Sequence, residues 1–298
     1  MWLVDKTAFE ISYLRDLEVV EPWNKNTNYG SFVQAGIEGF IKTRQPRGAA
    51  KFIDNMFEKQ CKQYEDYEDI AWWSSIAQTT VSTWIDLYGK DLDKYKVTNS
   101  EVHHKITLNL PSGRPITLHG YIDGEGENIL MENKTRGEWD EVALAKEIDL
   151  NLQFNMYSLF FSAKYGRLPE RFWYQHIRRP LGFAYKGPRS KAKESKEDFR
   201  KRLGEAIDTN RDYHFFRYFA RPTEDRHQRF LHQCLYPMLE AFLDWYFYMI
   251  HPQRSTEVNR THWVTPYGLY NPFMEGTLER FREYRLNGST FGLRPKSH

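Results

Sequence analysis

The sequence predicts an α/β fold, one domain with a helical N-terminal cap, on three observations. Apolar residues recur at helical spacing through the first 98 residues, alternate in strand fashion after Asn99, and return to helical spacing from about Asp140. The chain's 298 residues give ample length for a sizeable core, as one large domain or two small ones. Hydrophobic residues make up 40% and aromatics 16%, which excludes a disordered chain.

The first helix is expected from Tyr29-Gly30-Ser31, with Phe32, Val33, Gly36, Ile37 and Phe40 on one face. A second follows from about Ala50, and a third runs from Trp72 to Tyr88 with Ile76, Val81 and Ile85 inward. Val102, Ile106, Leu108 and Leu110 then read as a strand, Pro111-Ser112-Gly113 as a turn, and Ile116 to Ile122 as an antiparallel partner. Gly124 and Gly126 offer a tight turn into a third strand through Ile129, Leu130 and Met131. Beyond it, the helix from Asp140 carries Leu144, Ile148, Leu152, Met156, Leu159 and Phe160 to a C-cap at Gly166. Phe172 to Ile177 and Tyr213 to Phe219 read as strands, and Pro222 and Thr223 open a long amphipathic helix to about Ile250. The tail from His251, rich in Pro, Gly and aromatics, is expected to wrap the surface. The chain thus divides into a helical region 1–98, a core 99–220, and a C-terminal helix and tail 221–298.

Net charge is only +2, so no overall field draws the protein to nucleic acid and any basic surface is local. One such segment is Lys186 to Arg202, where Lys186, Arg189 and six further Lys or Arg face three acids. It reads equally as a solvated loop or as a clamp on a phosphate backbone. Cys61 and Cys234 give neither metal-ligand spacing nor a disulfide framework, so a cytoplasmic, intracellular home is expected. The start Met1-Trp2-Leu3-Val4-Asp5-Lys6 carries charges where a signal peptide needs an apolar run, and the apolar stretch 241–250 contains Asp244. A soluble protein without a membrane partner is the expectation.

Chemistry points to the hairpin through Asp123, Glu132 and Lys134. Side chains alternate along a strand, so Glu132 and Lys134 leave one face while Asn133 points the other way. The turn brings Asp123 back toward that face. Two carboxylates and an ammonium at the polar end of an apolar hairpin are costly to bury unless something pairs them. A hard divalent cation does so, leaving the lysine to act on a water or a phosphate. The bland alternative is a solvated hairpin end. Weight shifts on reading the next helix, where Gln153 and Tyr157 at i and i+4 project from one side. His103, His104 and His119 lie on strands near the acidic cluster, and structural or surface roles are expected for them.

Gly120-x-x-Asp123, Glu132-Asn133-Lys134 and Gln153-x-x-x-Tyr157, in that order and spacing, resemble the PD-(D/E)XK nuclease superfamily. Within it the chain is similar to the RecB-like, phage-type exonuclease branch, over roughly residues 29–220. The resemblance implies a restriction-endonuclease-like core, a central mixed β-sheet flanked by helices. It implies Mg²⁺ or Mn²⁺ held by Asp123, Glu132 and the Asn133 backbone carbonyl, with Glu101 at a second ion or a water. Lys134 would position the attacking water or steady charge on phosphorus, and Gln153 and Tyr157 would brace the site. Arg178 and Arg179, at a strand end, would contact the DNA strand, as would Lys186 and Arg189. Relatives often carry a metal-binding histidine in the first helix, in a Gly-x-x-x-His setting; here Gly30-Ser31-Phe32-Val33-Gln34 puts Gln34 there. A four-cysteine iron–sulfur cluster, found in some relatives, is excluded by two cysteines. The implied function is a metal-dependent DNA exonuclease of recombination or repair, of phage or bacterial type, with room for a homo-oligomer or a recombination partner protein. An endonuclease of the same fold and a non-catalytic nucleic-acid-binding protein are the rivals.

Overall fold

The computed structural model describes residues 17–19, 24–65, 67–137, 151–180, 194–250 and 293–295. The chain divides into two compact units, Trp23–Cys234 and a second made of Met1–Pro22 with Leu235–His298. In the second unit, β1 (Leu17–Val19) pairs antiparallel with a C-terminal strand, Leu293–Pro295, and a helix spans Tyr236–Ile250.

The larger unit opens with three helices, α1 (Lys25–Thr43), α2 (Pro46–Gln63) and α3 (Tyr67–Lys94). There follow β2 (Val97–Asn109), β3 (Pro115–Gly126), β4 (Ile129–Arg136), α4 (Leu152–Tyr165) and β5 (Arg171–Arg178). The unit continues through α5 (Lys196–Thr209), the single turn α6 (Arg211–His214), β6 (Phe215–Ala220) and α7 (Glu224–Phe230). A π-helical turn, Leu231–Leu235, lies at its boundary. Five strands form one mixed sheet in the order β2-β3-β4-β5-β6, parallel only between β4 and β5. The α4 crossover joins that parallel pair, as two parallel neighbours require.

Two apolar cores explain why the helices lie where they do. On one sheet face, Tyr29, Phe32, Ile37, Ile53, Ile76 and Trp84 of the first three helices pack with Ile129, Met131, Trp173 and Ile177 of the strands. Phe199, Leu203 and Ile207 of α5 join the same core. The N-terminal helices are therefore not a cap set apart from the sheet; their apolar sides need its face to leave water. On the other face, Phe154, Tyr157, Phe160 and Phe161 of α4 cover Ile122, Leu130, Phe172 and Tyr174.

Several local expectations shift. The first helix starts at Lys25, with Gly30 inside it; a Cβ there would meet Thr135 Oγ1 at 2.7 Å, so glycine lets α1 approach β4. The turn between β3 and β4 is Glu127-Asn128, with Gly124 and Gly126 inside the strand. At Gly126 a Cβ would fall 2.5 Å from the Lys96 carbonyl, so close strand packing, and not a turn, demands that glycine. Part of the basic segment is helix: Ser195 caps α5, its side chain accepting from the Asp198 N–H. Residues 211–214 form a helical turn, so β6 begins at Phe215. The start of the helix expected from Asp140 and the tail from His251 lie outside the described residues. Among the described residues no helix is long and apolar enough to cross a membrane.

Candidate metal and phosphate site

The site forms where β3 and β4 part. Their ladder pairs Glu125 with Leu130 and Gly124 with Met131. Two residues beyond Met131, the Asn133 N–H donates to the Asp123 side chain, Oδ2, at 2.8 Å. Alternation slips here as well. Ile122 packs in the α4-side core, yet Gly124, two residues on, faces Met131 and Val97 in the other core. On the neighbouring strand, Glu101 lies between the Val102–Ile122 and Ser100–Gly124 pairs and has a φ of 50°. A non-glycine residue in the left-handed region costs on the order of 1–3 kcal/mol, and such positions cluster where a side chain must be re-aimed. The kink turns Asp123 toward Glu132 and Glu101, which simple period-2 alternation does not give.

Glu132 is buried and pairs through Oε1 with Lys134 Nζ, a contact on one sheet face as the alternation predicts. Its Oε2 is buried without a well-aligned hydrogen bond. Burial and the Glu132 charge push Asp123 well above the usual carboxylate range, against the Asn133 N–H and the Lys134 ammonium. Burial likewise raises Glu132, and Lys134, Tyr157 and Gln153 offset only part of that rise. Two acids held above their ordinary range by desolvation, one of them also by the other's charge, form a site short of positive charge.

Helix α4 supplies the brace. Asn151 caps it, accepting from the Gln153 and Phe154 N–H groups at 2.9 and 3.2 Å. Gln153 Nε2 donates to Tyr157 Oη at 2.5 Å, so the i, i+4 pair acts as one unit beside Glu132. Burial and the Glu132 charge both raise the Tyr157 phenol, which stays a neutral donor.

From the opposite face, Gln34 of α1 bridges two site residues. Its Nε2 donates to Glu101 Oε1 at 2.7 Å, and its Oε1 accepts from Asn133 Nδ2 at 3.3 Å. Asn133 thus points away from Glu132, as expected. In register with Asn133 lies Gln175, which sequence reading missed; it is fully buried and neither side-chain amide atom has a hydrogen-bond partner. Nothing in its Trp-Tyr-Gln-His context marks it. His176, beside Lys134 on β5, has its pKa driven down to about 3 by burial and by Arg136 and Lys134, so it stays neutral.

The structure brings together Asp123, Glu132, Lys134, Asn133, Glu101, Gln34, Gln153 and Tyr157. The two arginines separate. Arg178 pairs in register with Arg136, two residues beyond Lys134, whereas the Arg179 charge acts on Tyr29 of α1. Adjacent residues of a strand leave opposite faces, so only one of two sequential arginines can face Lys134. Lys186 and Arg189 lie outside the described residues. Among the described residues no three His, Cys, Asp or Glu side chains form a ready-made metal cage. Gln34 holds Glu101 and Lys134 holds Glu132.

Two residues beyond Asp123 sits a carboxylate whose role the sequence hid. Glu125 is fully buried; its Oε2 meets His104 Nε2 at 2.6 Å, and its Oε1 accepts from Lys164 Nζ and Tyr165 Oη at 2.6 Å each. Burial favours its protonated form, but these three partners outweigh that and hold its pKa down at about 2. His104 is structural, as expected, while His103 and His119 form an exposed pair 3.2 Å apart.

No protein-family model matches the chain, and no curated protein matches it in sequence. Among solved structures, it is similar to one described as "Crystal structure of SSO0001", at 16% identity over 53% of this chain and 71% of that one. The TM-score of 0.25 is too low for that likeness to bear on fold or function.

Proposed function

We propose that the chain is a metal-dependent nuclease with a restriction-endonuclease-like core, hydrolysing phosphodiester bonds of DNA from its ends. The observation that carries this reading is the charge balance at the kink. The Glu132 and Glu101 charges both act on Asp123, with Lys134 as the near ammonium, so three carboxylates meet one cation. The buried, poorly satisfied Glu132 Oε2 fits an oxygen-ligated cation. Asp123, Glu132 and the Asn133 backbone carbonyl would hold Mg²⁺ or Mn²⁺, with Glu101 and the Gln34 amide oxygen behind them. Bound there, the ion supplies an acidified water and a polarised phosphoryl oxygen.

The chain's own groups do the rest. Lys134, partly exposed with its ammonium on Glu132, is placed to donate to a phosphate oxygen and to steady charge as it builds. Gln153 and Tyr157 hold Glu132 in one orientation through the capped first turn of α4. Buried His176 stays neutral and takes no proton from the water. Preference for ends over internal cuts, and a role in recombination or repair, rest on the sequence resemblance alone.

End-labelled linear DNA and closed circular DNA, incubated with and without Mn²⁺, test the reading. Loss of linear DNA alone, only with metal, is the expected result. Nicking of circles would make it an endonuclease, and binding without loss of either would overturn the nuclease reading.

A further inference from the structure

We infer that Tyr213 and Arg178 form a stacking platform for one nucleobase of the bound strand, at the exit edge of the site; this rests on the nuclease reading. The resemblance places Arg178 in contact with the DNA strand. Its guanidinium is tied down: Nε donates to the Tyr213 carbonyl at 2.9 Å and Nη1 to the Gly137 carbonyl at 3.4 Å. In that pose it lies 4.0 Å above the centre of the Tyr213 ring. A fixed guanidinium over one ring face makes a rigid, polarised plate. The ring itself is 57% exposed, so much of it is open to solvent.

Position supports a substrate role over a packing one. Arg178 stands opposite Arg136 in the parallel β4–β5 pair, and Lys134 stands opposite His176. Residues two apart on one strand lie on the same face about 6.6 Å apart, and neighbouring strands are about 4.8 Å apart. Lys134, Arg136 and Arg178 therefore form a short cationic row that begins at Glu132 and ends at the exposed ring. One nucleotide of an extended strand spans a comparable step, so a phosphate at Lys134 puts a neighbouring base over Tyr213. The turn carrying the ring is anchored by its neighbour: His214 is buried, with its ring edge-on to Tyr213 at 5.1 Å. A single-stranded end fits this arrangement, because a base inside a duplex has no free face to offer. Stacking of this kind is tolerant of sequence.

The test uses the full chain in chelator, so that nothing is cut, with labelled single-stranded DNA read by fluorescence anisotropy. Tyr213→Ala is expected to weaken binding about tenfold, while Tyr213→Trp keeps it. Replacing single nucleotides with abasic sites is expected to find one position where the parent loses the same factor and Tyr213→Ala loses nothing more. Unchanged affinity in Tyr213→Ala, or an equal loss on fully abasic strands, would overturn the platform. Cleavage by the parent in Mn²⁺ is scored separately. A parent that cuts but binds independently of Tyr213 overturns the platform alone. One that binds through Tyr213 and cuts nothing overturns the nuclease reading alone, and one that neither binds nor cuts overturns both.

Discussion

Two acidic centres share β3, two residues apart, and they are built in opposite ways. Glu125 is fully buried and satisfied by an imidazole, an ammonium and a phenol, and its pKa falls to about 2. Glu132 is as deep and Asp123 half-buried; they share one ammonium, burial pushes both up, and the Glu132 charge raises Asp123 further. Burial alone therefore says little about role; the identity of the partners says more. A carboxylate whose protein partners already favour its charge is a clip between β3 and the end of α4. One whose partners do not suffice is a place for something from outside the chain.

The difference can be broken most forcibly at Lys134. Lys134→Ala should cut DNA cleavage by about 10²–10³-fold, measured on labelled DNA in Mn²⁺, while binding in chelator stays near the parent's. Cleavage at the parent rate would remove the lysine from the chemistry. Next in size is the clip: Glu125→Ala should cost about 2–3 kcal/mol in urea unfolding, because His104, Lys164 and Tyr165 lose their acceptor. A loss under about 0.5 kcal/mol, the range of ordinary surface changes, would mean that the two centres are not built differently after all.

Smaller, and opposite in sign, is the effect at Glu132. Without metal, Glu132→Gln should raise stability by about 1 kcal/mol, since it removes a buried charge that repels Asp123, while abolishing cleavage. A destabilisation as large as that of Glu125→Ala would sink the contrast. The pH profile sharpens it further. Glu125, depressed in the folded state, contributes stability that is complete above about pH 4.5 and lost as pH falls through about 2. Asp123, raised in the folded state, has the reverse sign: its contribution is full below its ordinary pKa of 3.8 and fades as pH climbs through the raised folded value. Glu125→Gln should thus flatten the acid limb of stability against pH, and Asp123→Asn the limb above it, in metal-free unfolding scans.

Much of this was legible in the residues because it depends on local pattern. The period change after Asn99, the Gly166 cap with its φ of 69° and the Thr223 cap of α7 are signals spread over a few neighbours. The pairing of Glu132 with Lys134 and of Gln153 with Tyr157 follows from periods of two and of 3.6. What stayed hidden depends on contacts far apart in sequence. Glu125 looked like part of a turn because the glycines beside it are required by close approach to the Lys96 carbonyl and the Met131 side chain, not by a bend. The slip in alternation at Asp123 depends on Glu101 adopting a left-handed φ on another strand. Tyr213 read as strand because aromatics favour strands, and only its tertiary setting under Arg178 breaks that preference.

The most direct test is anomalous scattering from crystals of the full chain soaked in Mn²⁺. The account predicts a peak between the Asp123 and Glu132 carboxylates, within reach of the Asn133 carbonyl and absent from Asp123→Asn crystals. No peak there at saturating Mn²⁺, or one that survives the Asp123→Asn change undiminished, would contradict it.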